Sequence, residues 1–222
     1  MKHAESISLA GASRRANVEN ANMTQTVTFR SATPGDAMDL ARLINIAGDG
    51  LPHYFWQTAK APGQTTWEFG ANRAQREDGS FSYRNTILAM VGDSVAGCAV
   101  QYVIERPASV DDYTEMPEVF VPIQQLEDQA VGSLYLSVLA VYPEFRGMGI
   151  GAKLVNLTTD EEGQDQTLIV ADANSVAIRL YEGLGFVCEA TRAMAKDGWI
   201  GAGDTWNLMR RPLPGDSGNR EA

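Results

Sequence analysis

Three glycines in five residues, Gly147, Gly149 and Gly151, separate an apolar run that ends at Val141 from a helical pattern, "GAKLV", and they follow Arg146 directly. Glycines at a strand-to-helix junction leave backbone N–H groups bare where a helix begins, and such a junction takes up anions, phosphates above all. The feature demands an α/β fold in which a strand feeds a loop and the loop feeds a helix. Gly147, Gly149 and Ala152 also satisfy G-x-G-x-x-A, the dinucleotide fingerprint. In a dinucleotide fold the glycines follow a strand at once and open the domain. Here "YPEFR" intervenes, and the motif lies in the second half of the chain. No GK[ST] follows, so a nucleoside triphosphate loop is excluded. The spacing selects a phosphate binder, and its setting disfavours NAD.

The remaining patterns supply the elements around that junction. "TQTVTFR" after Met23 alternates as a strand does. Thr33 is a good N-cap with Pro34 at the first helical position, and Ala37, Leu40, Ile44 and Ala47 fall on one helical face before Gly48 and Gly50. The aromatic-rich stretch from His53 to Arg84 predicts a second helix with long loops, His53 itself lying in a loop after Pro52. "TILAMVGDSVAGCAVQYVIE" reads as a hairpin about "GDS". An acidic loop with Asp111, Asp112, Glu115 and Glu118 and a short helical piece, "VFVPIQQLEDQA", follow. Then come a strand "SLYLSVLAV", the glycine-led helix, a strand "TLIVAD", a helix "SVAIRLYEGLG", and a final pair, "FVCEATRAMA" and "TWNLMRRPL". This order predicts a mixed α/β sheet, antiparallel in its front half, with one parallel crossover. Residues 1–23 read as a flexible extension, with Met23 a candidate natural start, residues 24–213 as a single domain, and 214–222 as a flexible tail.

Composition narrows the function classes. A formal net charge of −10 argues against general nucleic-acid binding. No apolar run is long enough to span a bilayer, and the first residues lack the core of a secretory signal. The two cysteines, Cys98 and Cys188, form neither a disulfide framework nor a metal cluster. A cytoplasmic setting with both thiols buried is therefore expected.

A second motif lies downstream, in "ADANSVAIRLYEGLGF". Taken alone it is a core-facing helix in which Ala177, Leu180, Tyr181 and Leu184 share one side and Gly185 ends it. Taken with the glycine run it resembles the GNAT superfamily of acyl-CoA-dependent N-acyltransferases. Arg146, Gly149 and Gly151 match the R-x-x-G-x-G signature, after Val141 and Pro143. Asn174, Ala177, Leu180, Tyr181, Leu184, Gly185 and Phe186 match N-x-x-A-x-x-L-Y-x-x-L-G-F. Element order agrees from Val27 to Leu213, and motif-grade agreement runs from Leu134 to Phe186.

The resemblance implies a mostly antiparallel central sheet with splayed fourth and fifth strands, flanked by helices, and acetyl-CoA as acyl donor. Arg146, Gly147, Met148, Gly149, Ile150, Gly151 and Ala152 would hold the pyrophosphate, and the backbone of Leu139, Ala140 and Val141 the pantetheine arm and the thioester oxygen. Asn174 would touch the pantetheine from the other side. Tyr181 is the implied proton donor to the departing thiolate. Glu105 and Ser137 are the candidates for drawing the proton from the amine, with Tyr135 beside them and Trp56 in the wall of the acceptor pocket. The implied reaction transfers an acetyl group to a primary amine of a small molecule or peptide, with no metal. A homodimer is compatible with the exposed strands and the "GWIGAGDTW" hairpin. Two other functions compete: a non-catalytic acyl-CoA-binding module, which would lack the acceptor site, and a nicotinamide oxidoreductase using the same glycines.

Overall fold

A computed structural model of the protein describes residues 26–157 and 163–212. The expectations for residues 1–23 and 214–222 fall outside the described residues. Seven strands form one sheet: β1 (Val27–Ser31), β2 (Thr86–Val91), β3 (Ser94–Val103), β4 (Leu134–Val141), β5 (Gln166–Ala171), β6 (Val187–Ala193) and β7 (Thr205–Arg211). Their order across the sheet is β1-β2-β3-β4-β5-β7-β6. Every neighbouring pair is antiparallel except β4 and β5, which are parallel. Parallel neighbours need a crossover, and the helix that follows the glycine run provides it.

The helices are α1 (Ala37–Ala47), α2 (Leu51–Ala59), α3 (Thr66–Ala74), α4 (Val110–Glu115), α5 (Val121–Glu127), α6 (Ile150–Leu157) and α7 (Ser175–Gly183). Residues 34–36 make a short 3-10 turn into α1, and Asp36 returns to accept the Thr33 backbone N–H at 2.8 Å and a fork from Arg30. The Arg30 guanidinium holds the Asp36 carboxyl down at about 2. The aromatic-rich stretch makes two helices where the sequence suggested one. His53 lies within α2, its backbone N–H donated to the Asn45 side chain at 3.0 Å, so it is helical and not in a loop. Among the described residues no helix is long and apolar enough to cross a membrane.

Packing follows from strand alternation. Leu40, Leu43 and Ile44 of α1, Trp56 of α2 and Ala74 of α3 cover one face of the sheet over Leu88, Cys98, Val100, Val138 and Ala140. Ile150, Leu154 and Val155 of α6 and Tyr181 of α7 cover another set, with Ala99, Leu136, Leu168 and Met209. A third cluster gathers Leu126 of α5 with Tyr135, Trp199, Trp206 and Leu208. The two tryptophans stack with centroids 5.9 Å apart.

Strand β4 changes phase partway. Val100 of β3 pairs with Val138 but Gln101 pairs with Leu136, so Ser137 is an extra residue, a β-bulge. Leu136 therefore joins the α6/α7 cluster, whereas Val138, two residues on, joins the opposite one. On its other side β4 pairs with β5 only through Leu134, Tyr135 and Leu136. Beyond the bulge the two strands part, as the resemblance implies.

Candidate active site

The parting of β4 from β5 leaves the backbone from Ser137 to Val141 without a strand on that side, open to an extended chain that could add like a strand. Leu139 and Val141 pack at the margin of the α6/α7 cluster, half-buried, and Ala140 points into the opposite core at 4% exposure. At the end of β4, Arg146 donates through Nε to Val141 O at 3.1 Å and so ties the glycine loop to the strand.

Gly147 and Gly149 have φ of 81° and 71°. An added Cβ would find open space at either, so backbone conformation and not crowding requires glycine there. Gly151 is different. It lies inside α6, where an added Cβ would stand 3.3 Å from Leu180 of α7. Turn geometry thus accounts for Gly147 and Gly149, and the close approach of α7 bears on Gly151. Ile150, the first residue of α6, is 1% exposed, while Met148 and Ala152 are half-buried. The N–H groups of the first helical turn have no intrahelical partner and stand at the positive end of the helix dipole.

Asn174 caps α7: its Oδ1 accepts the Ala177 N–H at 3.2 Å. This bond gives a local reason for the N-x-x-A spacing. Tyr181, on the same helix, is 7% exposed and packs against Phe186 with ring centroids 5.7 Å apart. Burial pushes its phenol above the ordinary tyrosine value, so it stays protonated.

On the other side of β4 lies a cleft of about 810 Å³. Tyr102, Val103 and Ile104 of β3 and the residues after it, Gly79, Ser80 and Asn85 from the segment before β2, and Gln124 and Glu127 of α5 line it, with Glu105, Arg106, Asp112, Glu115 and Met116 over the top. Four carboxylates stand there against one guanidinium, and Arg106 already pairs with Asp112 at 3.3 Å. Glu127 is the carboxylate set into the wall. Burial pushes it up to about 7, against the hydrogen-bonding pull of the Tyr135 hydroxyl and with the help of the neighbouring Asp128 charge. Tyr135 is 4% exposed, its phenol pushed well above the ordinary value first by burial and then by Glu127, Tyr102 and Tyr181. One buried hydroxyl thus stands within electrostatic reach of the cleft carboxylate and of the α7 tyrosine. Tyr102 packs edge-on against Tyr135 at 5.6 Å, and its hydroxyl interacts with Ser80 and Ser137.

These placements sort the predicted acceptor-side residues. Tyr135 is buried behind the cleft, where its hydroxyl meets Glu127, and it does not line the cleft itself. Ser137 is the bulge residue and serves Tyr102. Glu105 is exposed at the cleft's rim. Trp56 is 4% exposed in the core, pressed on Gly70, where an added Cβ would come within 2.5 Å of its ring; it does not line the cleft. Cys98 is buried and its thiol is pushed up to about 12, but Cys188 is exposed because β6 is an edge strand. Glu127 was missed. Its signal was present in the register: Ile123, Glu127 and Ala130 fall at i, i+4 and i+7, which sets a carboxylate in an apolar helical stripe.

Comparisons with known proteins bear on the fold of this chain. The family model described as acetyltransferase (GNAT) domain matches residues 85–188. The N-alpha-acetyltransferase 30 of Saccharomyces cerevisiae is 40% identical over 57 residues, 24% of this chain and 32% of that protein. The chain thus spans about a third of that relative's length. Among solved structures, an N-acetyltransferase from Staphylococcus aureus Mu50 aligns over 82% of this chain and 99% of its own at 18% identity, with a TM-score of 0.58. Ard1 from Thermoplasma volcanium aligns over 85% and 99% at 19% identity, with a TM-score of 0.51. At these identities the structural likeness is one of fold. The acetyltransferase (GNAT) domain model matches the part of the chain from the start of β2 to the start of β6, a little under half of its length.

Proposed function

We propose that the protein is an N-acetyltransferase that uses acetyl-CoA and acts on a primary amine held in the cleft between β3, α5 and the segment Glu105–Met116. The observation that carries this reading is the parting of β4 and β5 after Leu136, with the glycine loop on one side and the carboxylate-lined cleft on the other. The N–H groups at the start of α6 and Arg146 would hold the pyrophosphate, and the free edge of β4 from Ser137 to Val141 the pantetheine. Bound there, acetyl-CoA supplies an acyl carbon whose C–S bond breaks as the amine nitrogen forms the C–N bond.

The chain's own groups would manage the protons. An alkylammonium with a pKa of ~10.4 must lose a proton before it can attack. Glu127, poised at about 7, takes that proton in the neutral range. Tyr181 keeps its own proton at Oη and can give it to the leaving sulfur. The surplus of carboxylates draws a cationic acceptor in and an anionic one away. A non-catalytic acyl-CoA module has less support, because the cleft and a poised carboxylate are both present.

The test begins with thermal stabilisation by acetyl-CoA, CoA, NAD and NADP in parallel. Stabilisation by the two CoA compounds alone is expected, followed by amine-dependent thiol release. Stabilisation by NAD or NADP alone would overturn the reading.

A further inference from the structure

Asp128 follows Glu127 at the end of α5, and both its carboxylate oxygens are engaged. Oδ1 accepts the Ala108 backbone N–H at 2.9 Å and the Gln124 side-chain amide at 3.0 Å; Oδ2 accepts the Tyr113 hydroxyl at 2.7 Å. Ala108 and Tyr113 belong to the segment over the cleft, and Gln124 to its wall. No residue of α4 within that segment is buried, so apolar packing does little to hold it down. Its two hydrogen bonds to this end of α5 both finish on one carboxylate.

We propose that Asp128 is a positioning residue for the acceptor site: its carboxylate latches the roof, Glu105–Met116, onto α5 and sets a fixed negative charge beside Glu127. The proposal rests on reading this cleft as the amine site and Glu127 as its base. The Tyr113 hydroxyl keeps the proton it donates across the working range, because burial and the bond to Asp128 push its phenol up to about 12. A like charge next to a carboxyl raises its proton affinity, so Asp128 also moves Glu127 toward neutrality. The other groups around Glu127 are the phenols of Tyr135 on β4 and Tyr102 on β3, with Glu105, Arg106, Asp112 and Glu115 in the roof. Arg192 of β6 acts on Tyr113.

Two substitutions separate the latch from the charge. Tyr113→Phe removes one latch bond and leaves the charge; Asp128→Asn removes the charge and keeps an oxygen for Ala108 and Gln124. Amide hydrogen exchange of the full chain reads the roof, and the titration of Glu127 is read by NMR with carboxyl-labelled glutamate. For Tyr113→Phe, exchange at Ala108–Met116 should quicken roughly tenfold while the Glu127 midpoint holds. For Asp128→Asn, the midpoint should fall by roughly half a unit or more. With 1,4-diaminobutane as the acceptor probe, Tyr113→Phe should raise KM several-fold and leave kcat within about twofold. Unchanged exchange in Tyr113→Phe would overturn the latch, and an unmoved midpoint in Asp128→Asn would overturn the charge effect. Both readouts are independent of turnover. If the wild-type protein acetylates no amine, the functional reading fails, and exchange and titration still decide on Asp128.

Discussion

Gly151 of α6 and Leu180 of α7 interlock: a Cβ added to Gly151 would stand 3.3 Å from Leu180 Cδ2 and 3.9 Å from Leu139 Cδ2. The glycine signature and the asparagine–tyrosine signature, 23 or more residues apart in the chain, are thus one packed unit over the end of β4. Gly149, two residues earlier, has open space but a φ of 71°. The two substitutions should therefore differ. Gly149→Ala forces a left-handed alanine and should cost about 1–2 kcal/mol. Gly151→Ala gains up to ~1 kcal/mol of helix propensity and loses a similar amount to the tight contact, leaving stability nearly unchanged. Urea unfolding of both variants checks this. A loss at Gly151→Ala as large as that at Gly149→Ala would mean that the contact with Leu180 outweighs the gain in helix propensity.

The bond from Arg146 Nε to Val141 O predicts a role in loop order. Arg146 is exposed, so its removal should barely move global stability. Arg146→Ala should weaken acetyl-CoA binding roughly tenfold, through the lost charge and a looser loop. Arg146→Lys restores the charge without the fork and should recover only part of it. Calorimetric titration with acetyl-CoA is the check. Full recovery with lysine would show that charge alone matters.

Much of the frame was legible from residues because local rules and the fold agree. Thr33 and Pro34 announced the turn into α1, "GDS" the hairpin, and the two signatures the β4–α6–β5–α7 unit. What stayed hidden depends on contacts between distant segments. The bulge at Ser137 lies in a strand whose alternation looks unbroken, and only the pairing of Gln101 with Leu136 exposes it. Glu127 looked like one of many acids until α5 folded against β5, β7 and β6 and brought it to the Tyr135 hydroxyl. Trp56 suggested a pocket wall because aromatic residues serve cores and binding sites alike; its contact with Gly70 settles it in the core.

Glu127 makes stability depend on pH. Between its ordinary value of 4.5 and about 7 the folded protein binds more protons than the unfolded chain. Stability therefore falls as pH rises through that window, and above it the buried charge costs roughly 3 kcal/mol. Glu127→Gln should be more stable than wild type at pH 8, with the difference shrinking toward pH 4.5. Its kcat/KM should fall roughly 10²–10⁴-fold, and the rise of wild-type activity through about pH 7 should vanish. Paired unfolding curves and pH–rate profiles test this. A variant with normal turnover would move the base elsewhere in the cleft.

Tyr181 predicts the opposite pattern, activity lost without stability. Its phenol is held protonated by burial, so it can donate a proton but does not start as a base. The ring, not the hydroxyl, makes its contact with Phe186, 5.7 Å away and tilted by 60°. Phenylalanine keeps that contact, so Tyr181→Phe should melt within a degree or two of wild type and bind acetyl-CoA with nearly the same affinity. Loss of the donor should lower kcat roughly 10–100-fold. Because the phenol does not titrate in the working range, the deficit should keep the same size from pH 6 to pH 9. Single-turnover thiol release, which excludes product release, is the measurement. Wild-type turnover in the variant at neutral pH would sink the donor role, and a deficit confined to high pH would assign the tyrosine to the base side instead.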